Sequence, residues 1–157
     1  MTDIIYRPAG IFDQTPIMLF LLPWLEEGAV VYPSINREYG KWVNTILSQG
    51  VCFLAEKDNQ IIGIIGGSLS HFPWNSEAKF LAIEWLYVCK DFRKEGLANK
   101  LINMIKQYTE NYDLPLLTTL MNGVDTETKE RFMRMKGFKY TGGSFYYKGD
   151  VKDGRNC

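Results

Sequence analysis

The segment 79–89 is the sequence feature that most restricts how this chain can fold. Its residues are apolar except at Lys79 and Glu84, and aromatic and branched aliphatic side chains predominate. Such content is typical of a strand buried on both faces of a sheet. From Leu97 the apolar residues recur at helical spacing, which predicts an amphipathic helix. The segment therefore predicts a strand, a tight turn at 93–98 and a helix.

The turn Arg93-Lys-Glu-Gly-Leu-Ala98 has the features of an anion-binding site. The first N–H groups of a helix lack intrahelical acceptors and lie at the positive end of the helix dipole. Gly96 and Ala98 leave space for a bulky anion, and Arg93 and Lys94 add positive charge. The sequence therefore predicts that this turn binds phosphate.

This arrangement resembles the acyl-CoA signature of the GNAT superfamily of N-acyltransferases, in which Arg/Gln-x-x-Gly-x-Gly/Ala opens a helix after a buried strand. Two later stretches carry the same resemblance: 131–138, which ends in Gly137-Phe138, and the aromatic segment 145–147. The resemblance covers almost the whole chain. Compact, aromatic-rich chains of this kind are similar to GNAT-like proteins of bacteria and their phages.

The remaining patterns predict an α/β (α+β) protein with the order β-α-α-β-β-β-α-β-α-β(-β). The resemblance implies a GNAT-like mixed sheet of six or seven strands with about four helices. Strands are predicted at 4–7, 51–56, 60–65, 79–89, 115–120 and, as one or two strands, within 138–148. Helices are predicted at 13–27, 35–47, from 97 onward and at 126–135. Pro23 is expected to kink the first helix or end it early, and 70–76 to form a loop. Residues 1–148 would form one domain, followed by a flexible polar tail at 149–157.

Charge and cysteine content argue against several classes of protein. The 18 basic and 18 acidic side chains cancel, which gives no support for a nucleic-acid partner. Three widely spaced cysteines indicate neither a disulfide framework nor a metal site. The N-terminus lacks a signal-peptide pattern, and the apolar run 17–25 is too short to span a bilayer. We therefore expect a cytoplasmic protein with no membrane partner.

The resemblance implies acetyl-CoA as acyl donor and no metal. The pantetheine arm would bond to the main chain of Leu86, Tyr87 and Val88, and a backbone N–H near Val88 would polarise the thioester carbonyl. The pyrophosphate would bind the amides of the turn: Arg93, Lys94, Gly96, Leu97 and Ala98.

Acyl transfer to an amine also needs a base and a proton donor. Glu84 is the predicted base, because a carboxylate within an apolar strand is disfavoured unless it is paired or functional. A structural hydrogen-bonding role is the alternative for Glu84. Where many family members have a tyrosine that acts as the acid, this chain has Met133. Tyr146 or Tyr147 is therefore the predicted substitute, with Tyr140 less favoured. Thr126 replaces the family's frequent asparagine.

The acceptor is expected to be an amine on a small molecule or a protein. In related proteins two segments wall the acceptor pocket, and here they carry Trp24, Tyr32, Tyr39, Phe72 and Trp74, while Glu26 and Glu27 would attract a cationic amine. The only histidine, His71, is a weaker candidate for contact with substrate. Segment 145–147 could support a homodimer.

These patterns favour an N-acetyltransferase in which the amine attacks the thioester directly in a ternary complex. Two alternatives stay open at this point. A GNAT-like module could bind acyl-CoA without turning it over, which the substitution at Met133 would suit. An unrelated α/β protein with a chance Arg-x-x-Gly-x-Ala would not bind acetyl-CoA at all.

Overall fold

The computed structural model describes residues 3–27, 35–119 and 125–142, which form a mixed sheet with helices on both faces. The strands are β1 (Ile5–Pro8), β2 (Val51–Lys57), β3 (Gln60–Phe72), β4 (Asn75–Val88) and β5 (Leu116–Thr118). The helices are α1 (Gln14–Glu27), α2 (Glu38–Gln49), α3 (Leu97–Asn111) and α4 (Thr126–Met135). The strands lie side by side in sequence order, antiparallel except for the parallel pair β4 and β5. Among these residues, no helix is long and apolar enough to cross a membrane.

The described residues confirm an α+β fold with four helices, but they contain five strands rather than the predicted six or seven. Part of the predicted last strand, 138–142, is irregular. The Phe138 N–H donates to the Met133 carbonyl at the end of α4, and Gly142 has φ +148°. Both features divert the backbone from an extended ladder. The rest of that prediction, 143–148, and the predicted tail at 149–157 lie outside the described residues.

The hairpin of β3 and β4 is longer than the sequence predicted. Residues 70–76 were expected to form a loop. Instead β3 extends to Phe72, β4 begins at Asn75, and His71 pairs with Lys79. Phe72 packs its ring 4.8 Å from Phe80, and this cross-strand aromatic pair stabilises the far end of the hairpin. The polar side chains that suggested a loop are on exposed positions of the hairpin.

Of the two effects predicted for Pro23, a kink or an early end of α1, the early end is wrong, since the helix continues to Glu27. Proline removes the N–H that would bond to the carbonyl of Leu19. The Leu19 side chain is exposed, so this carbonyl lies on the water side of the helix, where solvent can replace the lost bond.

Two hydrophobic clusters lie on opposite faces of the sheet. The α3-side core contains Leu97, Leu101, Ile102 and Ile105 of α3, packed on strand residues such as Ile65. The α1/α2-side core contains buried residues of α1 and α2 together with Trp85 and Tyr87. Neighbouring residues of one strand, such as Ile64 and Ile65, belong to different cores, as alternation along a strand requires.

A β-bulge in β4 shifts this alternation at Glu84. Gly66 pairs with Trp85 and Gly67 with Ile83, so Glu84 is the extra residue of β4. Ile83, before the bulge, and Val88, after it, both belong to the α3-side core although their positions differ in parity. Strict alternation from Glu84 would have placed its side chain on the same face as Val88. The bulge separates them, and Glu84 lines a cavity with Trp24 of α1 and Trp42 of α2.

Candidate functional site

The turn before α3 presents an open helix N-terminus. Gly96 is the N-cap residue with φ +76°, and no side chain caps the helix. A Cβ built on Gly96 would meet no atom within 4 Å, so the space above the turn is free. Leu97 is fully buried and anchors the helix in the α3-side core. The N–H groups of Leu97 and Ala98 lie in the first helical turn and have no intrahelical acceptor by position.

The side chain of Arg93 connects this turn to β4 and α1. Its Nε donates to the Val88 carbonyl at 3.1 Å, and its Nη2 lies 3.4 Å from Oε1 of Glu27. The guanidinium also lies 5.7 Å from the ring centroid of Tyr87. Lys90 reaches the same Glu27 oxygen at 3.7 Å. Glu27, predicted to attract a cationic acceptor, is therefore already paired with two basic side chains.

The upper part of β4 has an edge without a strand partner in the described residues. β5 pairs only with Leu81–Ile83, so the two parallel strands separate above Ile83. The Cys89 N–H donates to the Ile62 carbonyl at 2.9 Å. By antiparallel alternation, the backbone groups of Leu86 and Val88 then point away from β3, toward the gap. Those of Tyr87, the third predicted contact, point toward β3.

A cavity of about 510 Å³ lies beside this edge and contains Glu84. The Ser68 hydroxyl donates a hydrogen bond to Oε1 of Glu84, which fixes the carboxylate on β4. The other walls come from β5, α1, α2 and α4 and include Trp24, Trp42 and Phe132. The cavity therefore joins the predicted base to the open backbone of Leu86.

Helix α4 contributes Met133 and Lys129 to the same cavity. Met133, at the position where the family's tyrosine was expected, is 6% exposed and has no proton to donate. Lys129 lies one helical turn earlier. Burial lowers the pKa of its ammonium group, while the nearby carboxylates of Asp125 and Glu27 act in the opposite direction.

The aromatic residues predicted to wall the acceptor pocket divide into separate groups. Trp24 lines the cavity. Tyr39 is a core residue whose hydroxyl donates to the Met18 carbonyl at 2.7 Å, and burial raises its pKa to about 12. Phe72 and Trp74 stack at the tip of the β3–β4 hairpin, with ring centroids 5.2 Å apart. Tyr32 lies outside the described residues.

The remaining predicted residues lie in other parts of the structure than Glu84 or outside the described residues. His71 is exposed on the hairpin, and Tyr140 stacks under Arg134 at 5.2 Å. Tyr140 lines a larger cavity of about 970 Å³, which includes neither Glu84 nor Gly96, so we assign the site to the smaller one. Tyr146 and Tyr147 lie outside the described residues. Within the described part of the chain, no three His, Cys, Asp or Glu side chains form a group that could hold a metal ion.

Sequence reasoning missed Ser68, Trp42, Phe132 and Lys129 of this site. Ser68 carries no local signal, because its role depends on the register between β3 and β4. Trp42 and Phe132 have the helical spacing of core residues, and only the packing of α2 and α4 against the gap places them in the cavity.

Comparison with known families gives one clear match: the profile of the acetyltransferase (GNAT) family matches residues 18–138. This span includes the bulge, the turn and every described residue that lines the cavity. Comparison with curated protein sequences gives no significant match.

Solved structures with the same fold are numerous but distant in sequence. A predicted acetyltransferase from Clostridium acetobutylicum, solved with acetyl-CoA, has a TM-score of 0.76 and 18% identity, covering 92% of this chain and 96% of its own. A possible acetyltransferase from Clostridium difficile has a TM-score of 0.70 and 18% identity, with 93% and 97% covered. An aminoglycoside 6'-N-acetyltransferase from Acinetobacter baumannii has a TM-score of 0.64 and 15% identity, with 95% and 99% covered. At these identities the likeness establishes the fold.

Proposed function

Because this chain belongs to the GNAT family of acetyltransferases, we propose that it transfers an acetyl group from acetyl-CoA to a primary amine. The observation that carries this proposal is the alignment of three features along β4: the carboxylate of Glu84, the open backbone of Leu86 and Val88, and the uncapped helix after Gly96. In an extended acetyl-CoA molecule, the thioester would lie near Glu84 as base, the pantetheine arm beside Leu86 and Val88, and the pyrophosphate at the helix after Gly96.

The residues present fit two parts of acetyl-CoA, the pyrophosphate and the pantetheine arm. The free space above Gly96 and the first-turn N–H groups of α3 suit the pyrophosphate. The outward N–H groups of Leu86 and Val88 face the gap beside β4, where one would bond to an amide carbonyl of the pantetheine arm and the other to the thioester oxygen. Arg93 holds the Val88 carbonyl and Glu27, so we assign it to shaping this turn, while the backbone amides take the phosphate. Lys94 is exposed and adds positive charge.

The bound acetyl-CoA would supply a thioester carbon as the electrophile. Glu84, oriented by Ser68, would remove a proton from the acceptor ammonium, because only the neutral amine has a lone pair for attack. A backbone N–H of β4 near Val88 would polarise the thioester oxygen. Tyr146 or Tyr147 would protonate the departing thiolate, and Lys129, which lines the cavity, is an additional candidate.

Thermal melts with and without acetyl-CoA test the cofactor part of this proposal. Ligand at about one hundred times its dissociation constant should stabilise the wild type by about 2.7 kcal/mol, a rise in Tm of several degrees. Gly96→Trp should abolish this rise by filling the phosphate space. Gly96→Ala is the matched control, since it has the same unfavourable positive φ but adds only a Cβ into free space. It should lower the Tm without ligand and retain most of the rise. No rise in the wild type would disprove cofactor binding.

Release of free thiol in the presence of a panel of amines tests catalysis. Glu84→Gln should lower kcat by about 10²–10⁴-fold, the range typical for loss of a general base. Glu77→Gln, an exposed position on the same strand, is the control and should change nothing. Comparing Tyr146→Phe, Tyr147→Phe and Lys129→Met would identify the proton donor.

A non-catalytic module that binds acyl-CoA is the second candidate, favoured by the aliphatic Met133 in the cavity. Such a module would give the ligand-dependent melt but would release no thiol with any amine, and Glu84→Gln would leave its ligand binding unchanged.

A further inference from the structure

The wall of the cavity opposite β4 is aromatic. Trp24 of α1, Trp42 of α2 and Phe132 of α4 are half-buried and line it. Trp42 is held in place by Trp85, with ring centroids 4.9 Å apart and planes at 85°. This edge-to-face contact belongs to the α1/α2-side core, so the indole of Trp42 is a fixed part of the wall.

The cavity contains little negative charge. Glu84 is the one carboxylate among its described lining residues. Glu27 lies nearby but is paired with Arg93 at 3.4 Å and Lys90 at 3.7 Å. Lys129, which lies near the carboxylates of Asp125 and Glu27, is the one basic residue among the described lining residues. Among these residues, a ligand with several positive charges would find a single carboxylate with which to pair.

We propose that the acceptor is an amine with a single positive charge on a flat apolar body, an arylalkylamine, rather than a polyamine or an aminosugar. This inference rests on the proposed function of the same site. The ammonium would lie at Glu84, and the apolar body would pack against Trp24, Trp42 and Phe132. Aromatic walls favour a flat ring over an alkyl chain, because ring contacts add to the burial of apolar area. An ammonium close to indole faces gains further stabilisation before it is deprotonated.

The reaction follows from this placement. The bound ammonium gives one proton to Glu84, and its nitrogen then forms the C–N bond to the acetyl carbon. The C–S bond breaks, and its electron pair goes to sulfur. The proton donor gives its proton to the thiolate. The nitrogen loses a second proton as the amide forms, and this proton restores the proton donor. The products are the N-acetylamine, free thiol and one proton released to solvent through Glu84.

Several of the structures with this fold are aminoglycoside acetyltransferases, whose names would suggest a polycationic aminosugar as acceptor. The wall described here differs in chemistry from what such a ligand needs. Each extra hydroxyl group placed against the ring faces of Trp24, Trp42 or Phe132 would lose its water without gaining a hydrogen bond. Each extra ammonium group would lose its water without a second carboxylate among the described lining residues to pair with.

Four probe amines separate these classes: 2-phenylethylamine, hexylamine, spermidine and sisomicin. Binding is measured by calorimetry in the presence of coenzyme A, and turnover by thiol release from acetyl-CoA. We expect 2-phenylethylamine to bind most tightly, hexylamine about tenfold more weakly, and spermidine and sisomicin more weakly still. The order of kcat/KM should be the same.

The outcomes separate this inference from the proposed function. Tighter binding or higher kcat/KM for spermidine or sisomicin would overturn the inference and leave the acetyltransferase proposal intact. Binding of 2-phenylethylamine without thiol release would support the pocket chemistry and contradict catalysis. Failure of 2-phenylethylamine to bind at all would overturn the inference.

Variants then test whether the aromatic wall is responsible. Trp24→Ala should weaken 2-phenylethylamine binding about tenfold, change hexylamine binding less, and leave the affinity for acetyl-CoA unchanged. If Trp24→Ala folds poorly, Trp24→Leu preserves an apolar side chain and should still remove the preference for the ring. Phe12→Ala is the matched control, because Phe12 is 98% exposed and lies outside the cavity. Equal weakening by Phe12→Ala and Trp24→Ala would contradict the assignment.

Discussion

The two faces of the sheet are packed with different kinds of side chain. The buried residues of the α3-side core are aliphatic, such as Leu101, Ile102 and Ile105, and the aromatic residues that pack against it, among them Phe132 of the cavity wall, are half-buried. The α1/α2-side core contains Trp85, Tyr87 and Tyr39, and half-buried Trp24 and Trp42 extend it to the cavity. The first face supports the helix whose N-terminus forms the proposed phosphate site. The second face continues directly into the proposed acceptor site.

Because of this difference in packing, we expect the α3 side to determine mainly the stability of the fold and the α1/α2 side to determine also the preference among acceptors. Aliphatic side chains pack densely and present no polar atoms, so the α3 side can hold the cofactor turn rigidly while tolerating little change in volume. Aromatic side chains leave ring faces and edges that a ligand can contact. We expect changes on the α3 side to affect unfolding most and changes on the α1/α2 side to alter acceptor preference as well.

The largest expected effect is a loss of stability in Leu101→Ala. Leu101 is fully buried between α3 and the sheet, so the variant should lower the free energy of unfolding by about 2–5 kcal/mol. Urea titration measures this loss. Leu19→Ala is the control, because that leucine is mostly exposed on α1 and should change the value by about 0.5 kcal/mol or less. In the folded fraction the order of preference among amines should stay the same, and a changed order would contradict the separation of the two faces.

Replacing either of two glycines on β3 with alanine should lower the stability by less. Gly66 and Gly63 face opposite cores. At Gly66 the new Cβ would overlap Nε1 of Trp85, so the indole must move, at a cost of about 1–3 kcal/mol. At Gly63 the nearest atom is Cδ1 of Leu101 at 3.2 Å, and that flexible end can shift, so Gly63→Ala is the matched control with a smaller loss. Because Trp85 supports Trp42, Gly66→Ala should also raise KM for the amine. An equal effect of both variants on KM would contradict the idea that only the α1/α2 side of the sheet affects acceptor binding.

The sequence predicted the elements whose signal is local. Helix α4 was predicted at 126–135 and is found at Thr126–Met135, and the strand, turn and helix around Gly96 are confirmed. The family resemblance carried by that turn is confirmed by the match to residues 18–138. These features depend on spacing and on residue type within about twenty positions, which the chain displays directly.

The features that the sequence did not predict depend on pairing between distant segments. The bulge at Glu84 requires an offset of one residue in the register between β3 and β4, and no pattern within β4 alone predicts that offset. The extension of the hairpin through His71 depends on its partner Lys79, and the persistence of α1 beyond Pro23 depends on which carbonyl faces water. The roles proposed for Glu84, Tyr146 and Tyr147 stay predictions until the variants are measured.

The smallest effect on stability is expected from the ion pairs that connect the segment before α1 to the edge strand β1 and its neighbour β2. Arg7 on β1 binds both oxygens of Asp13 at 3.0 and 2.8 Å, just before α1, and both oxygens of Glu56 on β2 at 2.9 and 2.7 Å. The Arg7 guanidinium, together with the Gly10 N–H, lowers the pKa of Asp13. A carboxyl whose pKa is lower in the folded than in the unfolded protein stabilises the fold above its unfolded pKa of about 4. That contribution is lost as the pH falls through the lower folded value.

Asp13→Asn should therefore lower the free energy of unfolding by about 1–2 kcal/mol at pH 7, and the difference from wild type should shrink as the pH falls below about 4. Urea titrations between pH 7 and pH 2 measure this dependence. Asp58→Asn is the control, because Asp58 is exposed in the β2–β3 turn at φ +52°, a conformation that asparagine tolerates. Amide exchange should show α1 losing protection before α3 as the pH falls, because the charge network anchors only the first of them. If α3 lost protection first, or if the Asp13→Asn difference were constant with pH, the charges would not distinguish the two sides of the sheet.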